Sequence, residues 1–420
     1  MIRRNAIVVV TLAILVAAGM SAYAADSGGL PLTMWGWNPG DIEKIVGAYS
    51  KTHPAIDLNY VTVQQAEAFQ KLQTTVSAGL ELPDLVPSEI GQRGTMMQLD
   101  IWENLGAAPY NFDTRLIFSY LIPLITNEKG QIVCTPWDVT SAAMAYRRPL
   151  ASKYFGTDDN KALQAMFPTW NDVLKKGKEV YTSSKGQNFM FASLNDVRII
   201  ADGQNPTPIV KNGKLDLQGS VKPTLDIMIR FRDNNVVGNI SATSPAYNAS
   251  YASNKYIFYP AASWSPTYVI DRNDPTGEGK WGLMVPPGGS FSWGGTAHMI
   301  PTKAKHKTTA FTLANWLVTK EGAIAQRQLL GYNMANAEAY KDPEILKFFD
   351  KNFGTQNLGA IFFGEAVKKL TPRPVSSYDV AIADVWNLVT EALNSDRNLD
   401  LKGALAMWES EFRNKAPEVK

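Results

Sequence analysis

The chain has 420 residues, with 41 Lys and Arg against 39 Asp and Glu and no basic run, so it offers no electrostatic footprint for nucleic acid or an anionic membrane. A single cysteine, Cys134, excludes an intrachain disulfide and a cysteine-based zinc site, and His53, His298 and His306 lack metal-ligand spacing; no metal or cofactor is expected. The length predicts about two domains, and 11 Trp with 16 Tyr favour an aromatic-lined site, although large cores also consume Trp.

The first expected element is a leader. Arg3-Arg4, an apolar run from Ile7 to Ala18 broken only by Thr11, and Ala22-Tyr23-Ala24 make the pattern of a cleavable signal peptide over residues 1–24. The run is too short for a permanent membrane span. The mature chain is expected to begin at Ala25, with 39 basic and 39 acidic residues. Cys134 lies far from the cleavage point, so a free periplasmic protein without a lipid anchor is expected.

Leu32 to Trp37 reads as a strand, with Leu32 and Met34 on one face. Asn38-Pro39-Gly40 is a turn and Asp41 a candidate N-cap. Ile42, Ile45, Val46 and Tyr49 follow at helical spacing. Pro54 stops that helix, and Ile56 to Val63 is a second strand. Phe69, Leu72 and Val76 mark a second helix ended by Gly79, and Asp84 to Val86 a third strand. Strand-helix alternation predicts an α/β fold with mostly parallel sheets, and ligands in such sheets sit at the carboxyl ends of strands. Trp37-Asn38 and Ser88-Glu89 occupy those ends.

Gly130 to Asp138 is an apolar stretch running into Pro136, an aromatic plate and a carboxylate. That order suits a strand crossing a cleft. A ring beside an acid fits a sugar, whose C–H face packs on the aromatic and whose hydroxyls donate to the carboxylate; a core Trp with a capping Asp fits as well. Thr169 to Asp172 opens a further helix, 202–219 is turn-rich, and Leu225 to Arg232 is helical. Tyr256 to Trp264 and Trp281 to Val285 are strands, Phe291 to Gly295 precedes another strand through Ile300, and 308–330 reads as one long helix. The chain beyond Asp342 reads as mostly helical.

Four tryptophans at strand ends or in Gly/Pro-flanked loops, Trp37, Trp137, Trp264 and Trp293, are candidate sugar platforms. Trp170, Trp316, Trp386 and Trp408 lie on helical faces and are expected in cores. Asn38, Glu89, Gln92 and Asp138 are candidate polar contacts; Glu89 and Gln92 read equally well as caps of the following helix. Gly294-Gly295 would let backbone N–H groups approach a ligand, and Tyr378, after Pro372-Arg373-Pro374, is a further candidate ring.

In chain order, Leu32-Thr33-Met34-Trp35-Gly36-Trp37, Tyr49-Ser50-Lys51-Thr52-His53-Pro54, Gln70-Lys71-Leu72-Gln73 through Gly79, Leu82-Pro83-Asp84-Leu85-Val86, Gly130 to Asp138, Pro168-Thr169-Trp170, Lys280-Trp281-Gly282 and Ala314-Asn315-Trp316-Leu317 resemble the motif set of extracellular solute-binding protein family 1 of ABC importers. The carbohydrate-uptake, maltodextrin-binding-like group is the match, and the lactose and arabinose branch looks nearest. The resemblance implies a two-lobe periplasmic-binding-protein fold (type II-like) with hinge strands: residues 26–137 plus 290–335 in lobe one, 138–289 plus 336–420 in lobe two. It implies a monomer that captures a mono- to oligosaccharide between the lobes. The partner would be a membrane permease with a separate cytoplasmic ATPase. Binding without catalysis is expected. A glycoside-acting enzyme would need two carboxylates roughly 5–10 Å apart across a sugar, and no nucleophile elbow or phosphate loop supports one. A third reading keeps the fold but binds glycerol phosphate, a polyamine or iron; neither a cationic pocket nor clustered tyrosines are evident in the sequence.

Overall fold

The computed structural model describes residues 29–367 and 370–420. The expected signal peptide lies outside the described residues. The strands are β1 (Leu30–Gly36), β2 (Ile56–Thr62), β3 (Val86–Glu89), β4 (Thr135–Pro136), β5 (Ser141–Arg147), β6 (Phe189–Phe191), the hairpin β7 (Val210–Lys211) and β8 (Lys214–Leu215), β9 (Tyr256–Ala262), β10 (Trp281–Met284), β11 (Phe291–Ser292) and β12 (Thr296–Met299). Two large apolar cores organise them. The first draws on Leu32 to Val139 and Ala297 to Ala335, the second on Ala142 to Phe291 and Ile382 to Val419. Between these cores lies the functional cleft.

In the first lobe β1 pairs parallel with β2, Leu30 opposite Ile56, and Met34 bridges in parallel to Leu85. These strands are linked by α1 (Pro39–Tyr49) and α2 (Ala68–Ser77). The α1 helix buries Ile42, Ile45, Val46 and Tyr49, the stripe its spacing predicts. It begins one turn earlier than expected. Pro39 takes the first position, where its missing N–H costs nothing, which leaves the Asp41 carboxylate without a capping role and free to face the cleft. The α3 helix (Ile90–Met96) starts directly from β3, and Glu89 Oε2 accepts from Gly91 N at 2.7 Å as its N-cap.

Parallel pairing holds for β1/β2 and β6/β9. The strands reached after a crossing, β12 and β5, run antiparallel to β3, β4, β9, β10 and β11, because the chain re-enters each lobe from the opposite side. The long helix expected over 308–330 is two, Lys307–Leu317 and Lys320–Leu330. Thr319 breaks the run and caps the second, accepting from Gly322 N at 3.2 Å. β11 belongs to the second lobe's sheet, with Phe291 opposite Ala142, and Trp293 packs on that lobe's core. Phe291 and Trp293 thus pack with the second core.

The lobes also touch away from the cleft. Gly94 of α3 approaches the helix Asp379–Ser395 so closely that a Cβ would lie 2.1 Å from the Ser376 carbonyl oxygen. Its N–H donates to Asp379 Oδ2 at 3.0 Å, and Thr95 Oγ1 donates to the Ser377 carbonyl at 3.0 Å. Among the described residues no helix is long and apolar enough to cross a membrane.

Candidate ligand site

A cavity of about 420 Å³ opens between the lobes. Nine of the eleven expected site residues line it: Trp37, Asn38, Glu89, Trp137, Asp138, Trp264, Trp293, Gly294 and Gly295. They converge because strands of both lobes end there. β1 delivers Trp37 and Asn38. β3 delivers Glu89, whose carboxylate both caps α3 and faces the cavity, so its two readings are compatible. The β12 register sets Thr296 opposite Glu89, and Thr296 N donates to Asp138 Oδ1 at 2.9 Å. The two acids are thereby held on either side of one backbone position.

The remaining two lie elsewhere. Gln92 is on α3, one turn beyond the cap and outside the lining, with its Oε1 buried and without a partner. Tyr378, half-buried, packs edge-on to Phe412 with centroids 5.8 Å apart, against the second lobe's core. Pro374 and the loop after it carry the Tyr378 ring inward at the start of the Asp379–Ser395 helix.

Trp137 is only 9% exposed and belongs to the first lobe's core. Its N–H donates to the Thr296 carbonyl at 2.9 Å, and its carbonyl accepts from Gln326 Nε2 at 2.8 Å. Its ring meets His298 edge-on at 5.2 Å and Tyr332 at 6.3 Å. Trp137 is thus a member of the first core that also lines the cavity. Across the cleft, Trp264 and Trp293 are half-buried, with centroids 4.9 Å apart and planes at 52°. Gly294 (φ 78°) and Gly295 (φ 123°) turn the chain beside them in the left-handed region that favours glycine. A Cβ on Gly294 would sit 3.3 Å from Trp264 Nε1. Of the tryptophans expected in cores, Trp316, Trp386 and Trp408 are buried and Trp170 packs half-buried on the second core.

Several lining residues escaped the sequence reading: Asp41, Tyr60, Tyr268, His298 and Tyr332. Asp41 Oδ2 accepts from Tyr332 at 2.7 Å, and the Tyr268 hydroxyl lies 2.7 Å from Tyr332 Oη and 3.1 Å from Asp41 Oδ2. The Asn38 N–H donates to Tyr60 Oη at 3.1 Å, and Gly36 is required there, since a Cβ would lie 2.2 Å from that hydroxyl. Three tyrosines thus do cluster in the cleft, contrary to the expectation from sequence. Burial pushes the Tyr60 and Tyr268 hydroxyls up to about 12 and Tyr332 higher still, so they serve as neutral donors and acceptors rather than phenolates.

Burial also governs the acids. It raises Asp138 to about 6, offset by the Thr296 N–H and the Arg93 guanidinium and reinforced by Glu89. It raises Glu89 too, against the Gly91 N–H and Arg93. Arg93, 4% exposed, lies beneath both, donating to Ser88 Oγ, the Ser88, Leu124 and Gly295 carbonyls. It does not line the cavity. Burial, with Arg93 adding to it, lowers His298 to about 4, so that ring is neutral at ordinary pH. The lining consequently presents three carboxylates and no Lys or Arg. Among the described residues no group of three or more His, Cys, Asp or Glu is placed to hold a metal ion. Cys134, behind Trp137, is buried, and its thiol is pushed up to about 12 by that burial, as fits a small core residue.

Comparison with known proteins fits this architecture. The family described as bacterial extracellular solute-binding protein matches residues 44–348. A protein named lactose-binding protein, from Rhizobium radiobacter, is 25% identical over 362 residues, 80% of this chain and 82% of the relative. A crystal structure of an extracellular solute-binding protein of family 1 superposes with a TM-score of 0.82 at 20% identity, covering 93% of this chain and all of the other. The galacto-N-biose/lacto-N-biose I-binding protein of Bifidobacterium longum, solved with lacto-N-biose, superposes with a TM-score of 0.72 at 17% identity, over 93% of this chain and 99% of that one. With two lobes, a cleft between them and a family match across most of its length, the chain belongs to the bacterial extracellular solute-binding proteins.

Proposed function

We propose that this protein is the carbohydrate-capturing component of an ABC importer, binding a neutral sugar between its lobes and presenting it to a membrane permease served by a separate ATPase. The cavity wall carries the reading. Trp137 on one lobe and Trp264 with Trp293 on the other offer ring faces to the C–H surfaces of a pyranose. Asp138, Glu89, Asn38 and the tyrosine hydroxyls supply acceptors and donors for its hydroxyls. Leaving such a group unpaired in a closed cleft costs about 1–3 kcal/mol, so they discriminate among hydroxyl patterns. The relative named for lactose supports the ligand class. The lobes follow the two cores, with residues 290–293 in lobe two, and close by hinge motion. The site binds without turnover, the mature protein is exported after loss of residues 1–24, and it works as a monomer.

Glycerol phosphate fits poorly against a lining with no cation, and ferric iron against neutral, hydrogen-bonded tyrosines. The three carboxylates do favour one second reading, a polyamine. Thermal unfolding of the mature protein against mono- to tetrasaccharides, with glycerol phosphate, spermidine and ferric citrate, separates these. Ligand at 100 times its dissociation constant adds about 2.7 kcal/mol. A lasting shift with a sugar and no product is expected. A shift with spermidine alone, or one that decays as product forms, would overturn the reading.

A further inference from the structure

Tyr268 stands on the helical turn Pro266–Ile270 after β9, so its backbone belongs to the second lobe. Its ring nevertheless packs against the first lobe's core. The ring lies 5.9 Å from Tyr332, and the two hydroxyls are 2.7 Å apart. Each hydroxyl has one proton, and the shortest consistent chain runs from Tyr268 to Tyr332 to Asp41 Oδ2, with Asn38 Nδ2 also donating to Tyr332 Oη at 3.4 Å. The Arg272 guanidinium covers the Tyr268 ring at 5.2 Å. All three clasp residues line the cavity.

Resting on the carbohydrate reading, we infer that Tyr268, Tyr332 and Asp41 form a clasp across the cleft that limits the ligand to one or two sugar rings. A hydrogen-bonded bridge between lobes cannot be threaded. A saccharide extending along the cleft past Asp41 must break it, taking from the Asp41 carboxylate the tyrosine hydroxyl it holds at 2.7 Å. The space left is small: about 420 Å³, near the low end of the roughly 300–1,000 Å³ typical of ligand pockets. The same clasp draws the empty lobes together, so part of the closing motion precedes ligand arrival.

Calorimetry on wild type, Tyr268→Phe, Tyr268→Ala and Asp41→Asn, with mono-, di-, tri- and tetrasaccharides of the best-binding sugar, tests the limit. Small-angle scattering of the same unliganded proteins tests the clasp. Wild type should bind a trisaccharide at least about ten-fold more weakly than its best shorter ligand, the effect of one hydrogen bond to a charged group. Tyr268→Ala should shrink that gap to about three-fold or less. Tyr268→Phe and Asp41→Asn should each enlarge the unliganded radius of gyration, and the pair should be no worse than the larger single effect. Equal binding of di- and trisaccharide by wild type, or an unchanged length profile in Tyr268→Ala, overturns the inference while leaving sugar binding intact. No saccharide binding by wild type sinks both.

Discussion

The two walls of the cavity are built differently. The first lobe's wall is part of a core: Trp137 is pinned at both backbone groups and at two ring edges. The second lobe's wall is a half-buried pair, Trp264 and Trp293, which pack on each other beside two glycines of positive φ. One wall is preformed and comes with the fold. The other is tied at its backbone, Trp293 N–H donating to the Thr140 carbonyl at 3.1 Å and Trp264 Nε1 to the Trp293 carbonyl at 3.4 Å, but its rings are half-buried at the core's edge and can adjust as the lobes close. Binding free energy and folding free energy should therefore be entangled on the first wall and separable on the second.

The largest effect expected is from Trp137→Ala. It should weaken sugar binding beyond detection and also cost about 3–5 kcal/mol of stability, the usual range for emptying a buried Trp site. Reading its binding loss as a pure ligand contact, with the fold untouched, is inconsistent with its burial. Thermal melts beside calorimetry check this. Lost binding with an unchanged melting temperature would mean that the wall is not core after all. Trp264→Ala and Trp293→Ala should each lower affinity about 10- to 100-fold, as truncated aromatic anchors do, with little change in melting. Because the rings touch, the double variant should lose less than the two singles added; strict additivity would show that they act separately.

Asp138→Asn isolates the charge on the preformed wall. The folded protein raises this acid from 3.8 to about 6, so it favours its own protonated form. Its contribution to stability is fully present below about pH 3.8 and is lost as pH rises through about 6. Sugar hydroxyls, by contrast, donate best to the ionised carboxylate. The two consequences have opposite signs. At pH 7.5 the unliganded Asn variant should melt higher than wild type, and the gap should close near pH 4. Affinity should be about ten-fold lower in the variant at pH 7.5, and wild-type affinity should fall as pH drops through 6. Comparing variant with wild type cancels His298, whose depressed value works the other way across pH 6.5 to 4.

This contrast also explains what could be read from the sequence. Strand-end handover is local, so Trp37, Asn38, Glu89, Trp137 and Asp138 were visible as ring or polar group after an apolar run. The first lobe's alternation was visible for the same reason. Tyr268, Tyr332 and His298 reach the cavity only because separated segments meet, Tyr268 in a turn and His298 inside β12, and neither position marks a ligand contact. Asp41 was misread because Ser, Thr, Asn and Asp near a helix start normally cap it, and Pro39 had already shifted the start. Gln92 and Tyr378 lie off the cavity lining because of register: one helical turn or one loop residue decides which way such a side chain faces.

The smallest effect sharpens the comparison most cheaply. Cys134 sits three residues before Trp137 in the preformed wall, buried, with its thiol pushed up to about 12. A thiol reagent needs the thiolate and access to it, so in the native protein at pH 8 labelling requires local opening of that wall. If the first lobe's half is as rigid as its bonding implies, wild type should resist labelling for hours. Trp264→Ala should resist it equally, since the second lobe's pair carries no part of that core. Trp137→Ala should label much faster, because opening now starts from a wall already missing its largest side chain. Prompt labelling of wild type would mean that both walls move alike, and the division between a fixed and an adjustable half of the site would fall.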